Sequence, residues 1–314
     1  MTRVFITRRL PTVASECLSE HFDVTARDEN SPCPPAKLAA AVTQYDGILS
    51  TVSEKFDASL LSSRTRLSAL SNYASGLDNI DCVSAERLGI AVYNTPFAVV
   101  ESTADLTLAL LLALVRRIPS AMAFARSGGW TNWDPERGLG DELHGKTLGL
   151  LGFGRIGQAV ARRALGFGLR VVYYDVAPCA APSELAVPEA GPVTFNELLE
   201  AADYLSLHVP LTPATRGLIN AATISRMRRR PVLLNMARGD VVVTRDILAA
   251  LEAGMLRGAA LDVISGEQLS PDHPLCRADN VIVVPHIGTA TVECRRRMAE
   301  AAAVNLIRHF TRRP

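Results

Sequence analysis

The stretch Thr147-Leu-Gly-Leu-Leu-Gly-Phe-Gly-Arg-Ile-Gly157 constrains this chain more than any other. Four of its first five residues suit a buried strand. Gly152, Gly154 and Gly157 then fall at the G-x-G-x-x-G spacing, and Gln158-Ala-Val-Ala-Arg-Arg-Ala-Leu165 continues as a helix with an apolar stripe. Strand, tight turn and helix in that order make a cradle for the pyrophosphate of a dinucleotide. The first glycine allows the turn, the second lets the phosphates approach the backbone, and the third lets the helix pack close to the strand. The helix start adds N–H groups and a positive dipole end. A glycine loop alone is a weak signal, because the same residues can form a turn with no ligand. Its surroundings strengthen it. A second apolar strand, Val171-Val-Tyr-Tyr174, ends in Asp175. A carboxylate there can accept hydrogen bonds from the adenosine ribose hydroxyls. It repels a 2′-phosphate, and Val176-Ala-Pro-Cys179 offers no Arg or Lys to receive one. NAD is therefore favoured over NADP. The bland alternative is that Asp175 is an ordinary strand-end turn residue.

A length of 314 residues is enough for two ordinary domains. Acids and bases almost cancel, leaving a net charge of +1, which argues against a nucleic-acid partner. The clusters Arg228-Arg-Arg230 and Arg295-Arg-Arg297 read as solvated helix faces or ends. The six cysteines, at 17, 33, 82, 179, 276 and 294, form no C-x-x-C pair. They suggest neither a disulfide framework nor a metal site and suit a reducing cytoplasm. The most apolar stretch, Leu106 to Val115, is half the length of a membrane span and reads as a buried helix.

Apolar runs recur along the whole chain. Up to residue 97 they are Val4-Phe-Ile-Thr, Phe22-Asp-Val-Thr-Ala, Gly47-Ile-Leu-Ser, Leu67-Ser-Ala-Leu-Ser and Ala91-Val-Tyr-Asn, with helical stretches between them. Strands that alternate with helices imply a parallel, doubly wound sheet. Thr95-Pro96 marks a boundary. A long apolar helix follows from Glu101 to about Ile118. The loop Ser127-Gly-Gly-Trp-Thr-Asn-Trp-Asp-Pro135 then carries both tryptophans, as at an interface, a pocket or a local core. After the glycine turn, strands recur at Tyr204–His208, Val232–Asn235, Gly258–Asp262 and Val281–Pro285, and residues 290–310 suit a final helix. The fold class expected is α/β, with two doubly wound parallel-sheet domains and a cleft between them.

Ligands of such sheets sit outside the carboxyl ends of the strands. The polar residues there are Asp175, His208, Asn235 to Arg238, Asp262 and His286. An arginine just beyond a buried strand, as in Asn235-Met-Ala-Arg-Gly-Asp240, is costly unless it meets an anion, and its planar fork suits a carboxylate. Glu267, in Asp262-Val-Ile-Ser-Gly-Glu, and His286, in Pro285-His-Ile-Gly288, suit an acid–base pair in which the carboxylate favours the protonated ring. Taken singly, Arg238 reads equally well as a salt-bridge residue, Glu267 as a loop acid and His286 as a strand-end histidine. Together, at the ligand edge of a dinucleotide fold, they point to chemistry.

On Gly152-Phe-Gly-Arg-Ile-Gly, His208-Val-Pro-Leu-Thr, Asn235-Met-Ala-Arg-Gly-Asp, Leu261-Asp-Val-Ile-Ser-Gly-Glu and Pro285-His-Ile-Gly, the chain resembles the D-isomer-specific 2-hydroxyacid dehydrogenases along essentially its whole length. Val4-Phe-Ile-Thr-Arg-Arg, Gly128-Gly-Trp-Thr-Asn-Trp and Leu211-Thr-Pro-Ala-Thr draw it toward the glyoxylate/hydroxypyruvate reductase branch. The resemblance implies hydride transfer between a nicotinamide and C2 of a small 2-oxo acid. Arg238 would bind the substrate carboxylate and polarise the 2-oxo group. His286 would donate the proton, and Glu267 would hold His286 protonated. Ser53, Ser75, Gly76 and Trp133 would contact the substrate. Thr103, Arg155, Ile156, His208, Val209, Pro210, Thr215, Met236, Ala237, Arg238, His286 and Gly288 would line the cofactor beside the three glycines and Asp175. Asp262 would hold the nicotinamide carboxamide. Residues 1–98 and 288–314 would form the substrate domain and 99–287 the dinucleotide domain. The helix from 101 and the tryptophan loop would build a homodimer.

The chain departs from the family pattern in places. Gln268 follows Glu267 where proline is frequent, Asp105 replaces the more usual Glu, and Asp175 differs from the Gly, Ser or Arg of NADP-preferring reductases. Glu267 itself argues against formate as substrate. Two other readings compete: a reductase of a phosphonate- or phosphate-bearing 2-oxo acid, and a dinucleotide-sensing binding protein of the corepressor type.

Overall fold

The computed structural model describes residues 1–177, 187 and 189–311, and the chain divides into two compact units. One comprises Met1–Val99 with Thr289–Pro314, the other Val100–Gly288.

The first unit is built on β1 (Arg3–Ile6), β2 (Asp23–Ala26), β3 (Gly47–Ser50), β4 (Ala69–Asn72) and β5 (Ala91–Tyr93). All pairings are parallel, and the spatial order is β2-β1-β3-β4-β5. Every residue of β3 and β4 is buried, as expected of central strands covered on both faces. The helix Val292–Thr311 returns to this unit late in the sequence, and Ser71 Oγ of β4 donates to its Ala302 carbonyl at 2.9 Å. A β-carbon on Gly47 would come within 2.9 Å of the Phe310 ring, so that glycine admits the helix to the sheet.

The second unit holds β6 (Thr147–Leu151), β7 (Arg170–Tyr174), β8 (Gly191–Pro192), β9 (Tyr204–Leu207), β10 (Val232–Asn235), β11 (Gly258–Leu261) and β12 (Val281–Val283). The sheet is wholly parallel, in the order β12-β11-β10-β9-β6-β7-β8. Strand order reverses at β6, whose neighbours are β7 on one side and β9 on the other. Doubly wound sheets bind their ligands at the carboxyl ends of such a pair. The two-residue β8 escapes sequence reading because it has no pattern of its own; its proline is tolerated at a sheet edge.

The apolar helix from Glu101 does not run on to Ile118. It spans Val100–Val115, Arg117 takes a left-handed φ of 52°, and a second helix, Ile118–Arg126, leaves at 61°. Pro119 explains the break. It has no N–H to give residue 115, and its ring would clash with that carbonyl. The Val115 carbonyl instead accepts Asp141 N–H at 2.9 Å. After β9 a helix of a single turn spans Ala221–Ile224, capped by Asn220. Among the described residues no single helix is long and apolar enough to cross a membrane.

Candidate active site

The glycine turn follows β6, and each of its glycines meets a different surrounding. Gly152 has φ +95°, and a β-carbon there would lie 2.8 Å from the His208 carbonyl carbon and oxygen just beyond β9. Gly157 opens the helix Arg155–Gly166 so close to the strand that a β-carbon would come within 2.4 Å of the Gly152 oxygen. A β-carbon on Gly154 would meet nothing within 4 Å. Gly154 is also the N-cap of that helix, and no side chain caps it. The first and third glycines thus let the protein pack on itself, and the second leaves space over an uncapped helix start. A pyrophosphate fits that arrangement. The Phe153 ring between them is buried and stacked on Tyr173, with centroids 3.6 Å apart.

Asp175 stands at the end of β7 beside this turn. Its Oδ2 accepts Phe153 N–H at 2.7 Å and its Oδ1 accepts Ala177 N–H at 3.0 Å. The carboxylate is thereby fixed next to the glycine loop, where an adenosine ribose would lie. Pro178 and Cys179, expected to offer no cation to a 2′-phosphate, lie outside the described residues. His208 Nε2 is 2.8 Å from Ser206 Oγ, while its Nδ1 is shut away from water without a hydrogen-bond partner. Burial pushes its pKa down to about 3, so the ring is neutral near pH 7. Thr215 closes the loop after β9, donating to the Pro210 carbonyl at 2.6 Å.

The next three strand ends carry the other polar residues. Asn235, fully buried at the end of β10, spends both halves of its amide on the turn that follows. Its Oδ1 accepts Ala237 N–H at 3.1 Å, and its Nδ2 donates to the Arg238 carbonyl at 3.0 Å. Met236 and Ala237 are buried, and the half-buried Arg238 leads into a 3-10 turn, Gly239–Val241. After β11 a second 3-10 turn, Ser265–Glu267, bends at Gly266 with φ +76°. It delivers the backbone of Glu267, whose side chain lies outside the described atoms.

Asp262, just beyond β11 and almost fully buried, organises the third. Its Oδ1 accepts Ile287 N–H at 2.7 Å, its Oδ2 accepts Gly288 N–H at 3.0 Å, and its carbonyl accepts His286 N–H at 2.9 Å. His286 has a left-handed φ of 53°, rare for a residue with a β-carbon. Three hydrogen bonds from one aspartate hold it there. The family resemblance implies a carboxamide contact for Asp262; the structure adds this second use. Thr103 Oγ1 reaches the Gly288 carbonyl at 3.4 Å. The sheet therefore brings Arg238, the Glu267 turn, Asp262, His286 and Gly288 to the carboxyl ends of its adjacent strands β10, β11 and β12, where Thr103 of the helix Val100–Val115 meets Gly288.

In the first unit the loop after β4 is shaped by two asparagines that the sequence did not single out. Asn94 Nδ2 donates to the Ser75 carbonyl at 2.6 Å, and Asn72 Nδ2 donates to the Gly76 carbonyl at 3.0 Å. Carbonyl and N–H of one planar peptide point in opposite directions. With the Ser75 carbonyl drawn to Asn94, the Gly76 N–H is turned the other way, suited to an anion. Ser53 lies in the exposed loop after β3, where Arg8 Nη1 donates to its hydroxyl at 3.2 Å. The buried Glu54 pins that loop by accepting Thr51 N–H at 2.8 Å, Thr7 Oγ1 at 3.1 Å and Cys33 N–H at 3.1 Å. The usable signal for Glu54, Asn72 and Asn235 was a polar residue at or just past a buried apolar run. Trp133 and Trp130 are 82% and 72% exposed.

Residues 108–288 match the family described as D-isomer specific 2-hydroxyacid dehydrogenase, NAD binding domain. The chain is 42% identical over 310 residues to the glyoxylate reductase of Pyrococcus furiosus, covering 97% of this chain and 91% of that protein. Among solved structures, the TT0316 protein of Thermus thermophilus superposes with a TM-score of 0.90 at 44% identity, covering 98% of this chain and 96% of the other. A glyoxylate reductase from Paecilomyes thermophila gives 0.88 at 30% identity, covering 99% and 96%. Similarity of this extent takes in both units as well as the strand ends that carry the polar residues. The chain is an oxidoreductase and belongs to the family of D-isomer-specific 2-hydroxyacid dehydrogenases, in its glyoxylate reductase branch.

Proposed function

We propose that this enzyme reduces a small 2-oxo acid of the glyoxylate or hydroxypyruvate kind to the D-2-hydroxy acid, with NADH preferred to NADPH. The observation that carries this reading is the convergence of Arg238, the Glu267 turn and His286 on neighbouring carboxyl ends of the sheet that holds the glycine turn. Its glyoxylate reductase relatives support the substrate class.

Gly152, Gly154, Gly157, Arg155 and Ile156 would hold the pyrophosphate, Asp175 the ribose, and the 208–210, 215, 236–238 and 286–288 backbones the rest of the dinucleotide. When bound, the reduced nicotinamide supplies the hydride for C2. The remaining work falls to the chain. Arg238 grips the substrate carboxylate in its guanidinium fork and polarises the 2-oxo group. His286 gives its proton to the carbonyl oxygen as negative charge develops there, and recovers it in the reverse reaction. Glu267 favours the protonated imidazole needed for reduction. The Ser75–Gly76 backbone binds the substrate carboxylate, and Ser53 contacts the substrate. Asp175 supports the NADH preference through its placed negative charge.

The exposed tryptophans and the helices Val100–Val115 and Ile118–Arg126 support a homodimer, with Trp133 reaching the partner's substrate. The free thiols of Cys82 and Cys276, both exposed, suit a reducing cytoplasm.

The test is NADH and NADPH oxidation, in parallel, across a panel of 2-oxo acids that includes phosphonate-bearing members. Turnover of glyoxylate or hydroxypyruvate with NADH is the expected result. Failure to turn over any member refutes the proposal.

A further inference from the structure

The two 3-10 turns that follow β10 and β11 lie against each other and are joined by a side-chain bond. Gly239 is in the closest contact. A β-carbon at 239 would fall 1.9 Å from the Ile264 carbonyl carbon and 2.1 Å from its oxygen, so the backbones touch with no room between them. Next to this contact, Ser265 Oγ donates to Asp240 Oδ1 at 2.5 Å. The other oxygen of Asp240 pairs with Arg216, and the Asp240 carbonyl accepts Gly217 N–H at 2.8 Å. Asp240 is thus held by the loop after β9 and in turn holds Ser265.

The location of this bond gives it meaning. Asp240 stands two residues after Arg238, and Ser265 two residues before Glu267. Gly266, which separates Ser265 from Glu267, sits at a left-handed φ where the chain bends. Such a turn does not stiffen itself, and a bond to its first residue supplies the restraint. The Ser265 hydroxyl, and after it Arg216, hold the Asp240 carboxyl below the usual carboxylate range. The acceptor is therefore ionised at neutral pH, which makes the bond a charge-assisted one. Asp240 is only half-buried and Ser265 is exposed, so neither is needed to fill the core.

We propose that Asp240 and Ser265 are positioning residues whose hydrogen bond locks the Arg238 turn to the Glu267 turn, keeping the substrate-binding guanidinium and the carboxylate that serves His286 in register. The proposal rests on the roles given above to Arg238, Glu267 and His286. It assigns no chemistry to Asp240 or Ser265 themselves.

Two readouts test it on the full-length enzyme, using Ser265→Ala, Ser265→Thr, Asp240→Ala and the Ser265→Ala/Asp240→Ala double variant. The first is hydrogen exchange at Val241 and Val242, whose amides donate to the Arg238 and Gly239 carbonyls at 3.1 and 3.2 Å. In Ser265→Ala their exchange should quicken by about tenfold while the helix Arg155–Gly166 keeps its protection. The second is steady-state kinetics with glyoxylate. kcat/KM should fall about 10- to 100-fold, as slight misplacement of catalytic groups does, while the NADH Kd stays within about twofold. Ser265→Thr retains a hydroxyl and should restore both readouts. The double variant should be no worse than Asp240→Ala alone, because the two residues act through one bond. Unchanged exchange in Ser265→Ala overturns the proposal. So does faster exchange with unaltered kcat/KM, or losses that multiply in the double variant. A wild-type enzyme inactive on every 2-oxo acid would refute the proposed function instead, and the exchange measurement would still decide whether the bond holds the turn.

Discussion

Asp262 and Gly288 are matched to each other: Asp262 Oδ2 accepts the Gly288 N–H at 3.0 Å, and a β-carbon on Gly288 would press to 2.8 Å from that same oxygen. The carboxylate cannot yield without releasing Ile287 N–H and with it the turn that presents His286. Gly288→Ala should therefore fold normally yet lose about 10²-fold in kcat/KM, the scale of a displacement near 1 Å at a catalytic group. Thermal melts alongside steady-state kinetics check this. A variant with wild-type kcat/KM would show that the turn tolerates the methyl group.

His286→Ala should lower kcat by about 10²–10⁴-fold, the usual contribution of a general acid, and leave NADH binding within about twofold. Titration of NADH fluorescence separates binding from turnover. Unimpaired turnover would remove His286 from the acid role.

The three glycines of the turn should respond differently to alanine. Gly154 has an extended, ordinary backbone and open space before it, so Gly154→Ala should melt like the wild type while NADH affinity drops by about tenfold or more. In Gly157→Ala the added methyl meets the Gly152 oxygen, and the melting temperature itself should fall, reflecting the loss of about 1–3 kcal/mol of stability typical of overpacking. Calorimetry with and without NADH distinguishes them. Equal melting temperatures for the two variants would contradict the assignment.

Asp175→Ala removes the charge that would oppose a 2′-phosphate and also the acceptor of Phe153 N–H. Both cofactors should bind somewhat less well through the loosened loop, but the ratio of kcat/KM for NADH over NADPH should drop by about tenfold, or roughly 1.4 kcal/mol. An unaltered ratio would mean that Asp175 does not read the ribose.

His208 adds a pH dependence to stability. Its folded pKa, near 3, lies below the ordinary value of 6.5, so the unfolded chain binds more protons between those values. Stability contributed by the neutral ring is complete above about pH 6.5 and is lost as pH falls toward 3, with a slope of at most about 1.4 kcal/mol per pH unit. His208→Asn should flatten the acid limb of a urea-unfolding series over that window. An acid limb of unchanged slope would show that His208 is not the group responsible.

The fold class was legible because buried parallel strands announce themselves as short apolar runs, and those of β3, β4, β6, β9, β10 and β11 are buried at every residue. Ala58–Ser62 and Pro274–Arg277 were not, since helices of five and four residues complete hardly more than one turn and show no periodicity. The break at Arg117 was there to be read in Pro119 but was masked by the apolar run before it. At the site, the residues that stand at strand ends could be picked out one at a time. Their supporting partners could not. Asp240 and Ser265 are 25 positions apart, and Asn94 and Ser75 are 19 apart. Such pairs exist only once strand register has set two loops side by side.

The contrast among Gly152, Gly154 and Gly157 bears on what a sequence motif measures. Two of the three are required by atoms of the chain itself, the His208 carbonyl and the Gly152 oxygen, whether or not anything is bound. Only Gly154 faces outward. In this chain a G-x-G-x-x-G match thus reports on packing at two of its glycines and on space for a ligand at one. A descendant that lost its ligand would still be under selection to keep two of the three letters, and the middle glycine is where such a loss would first become visible.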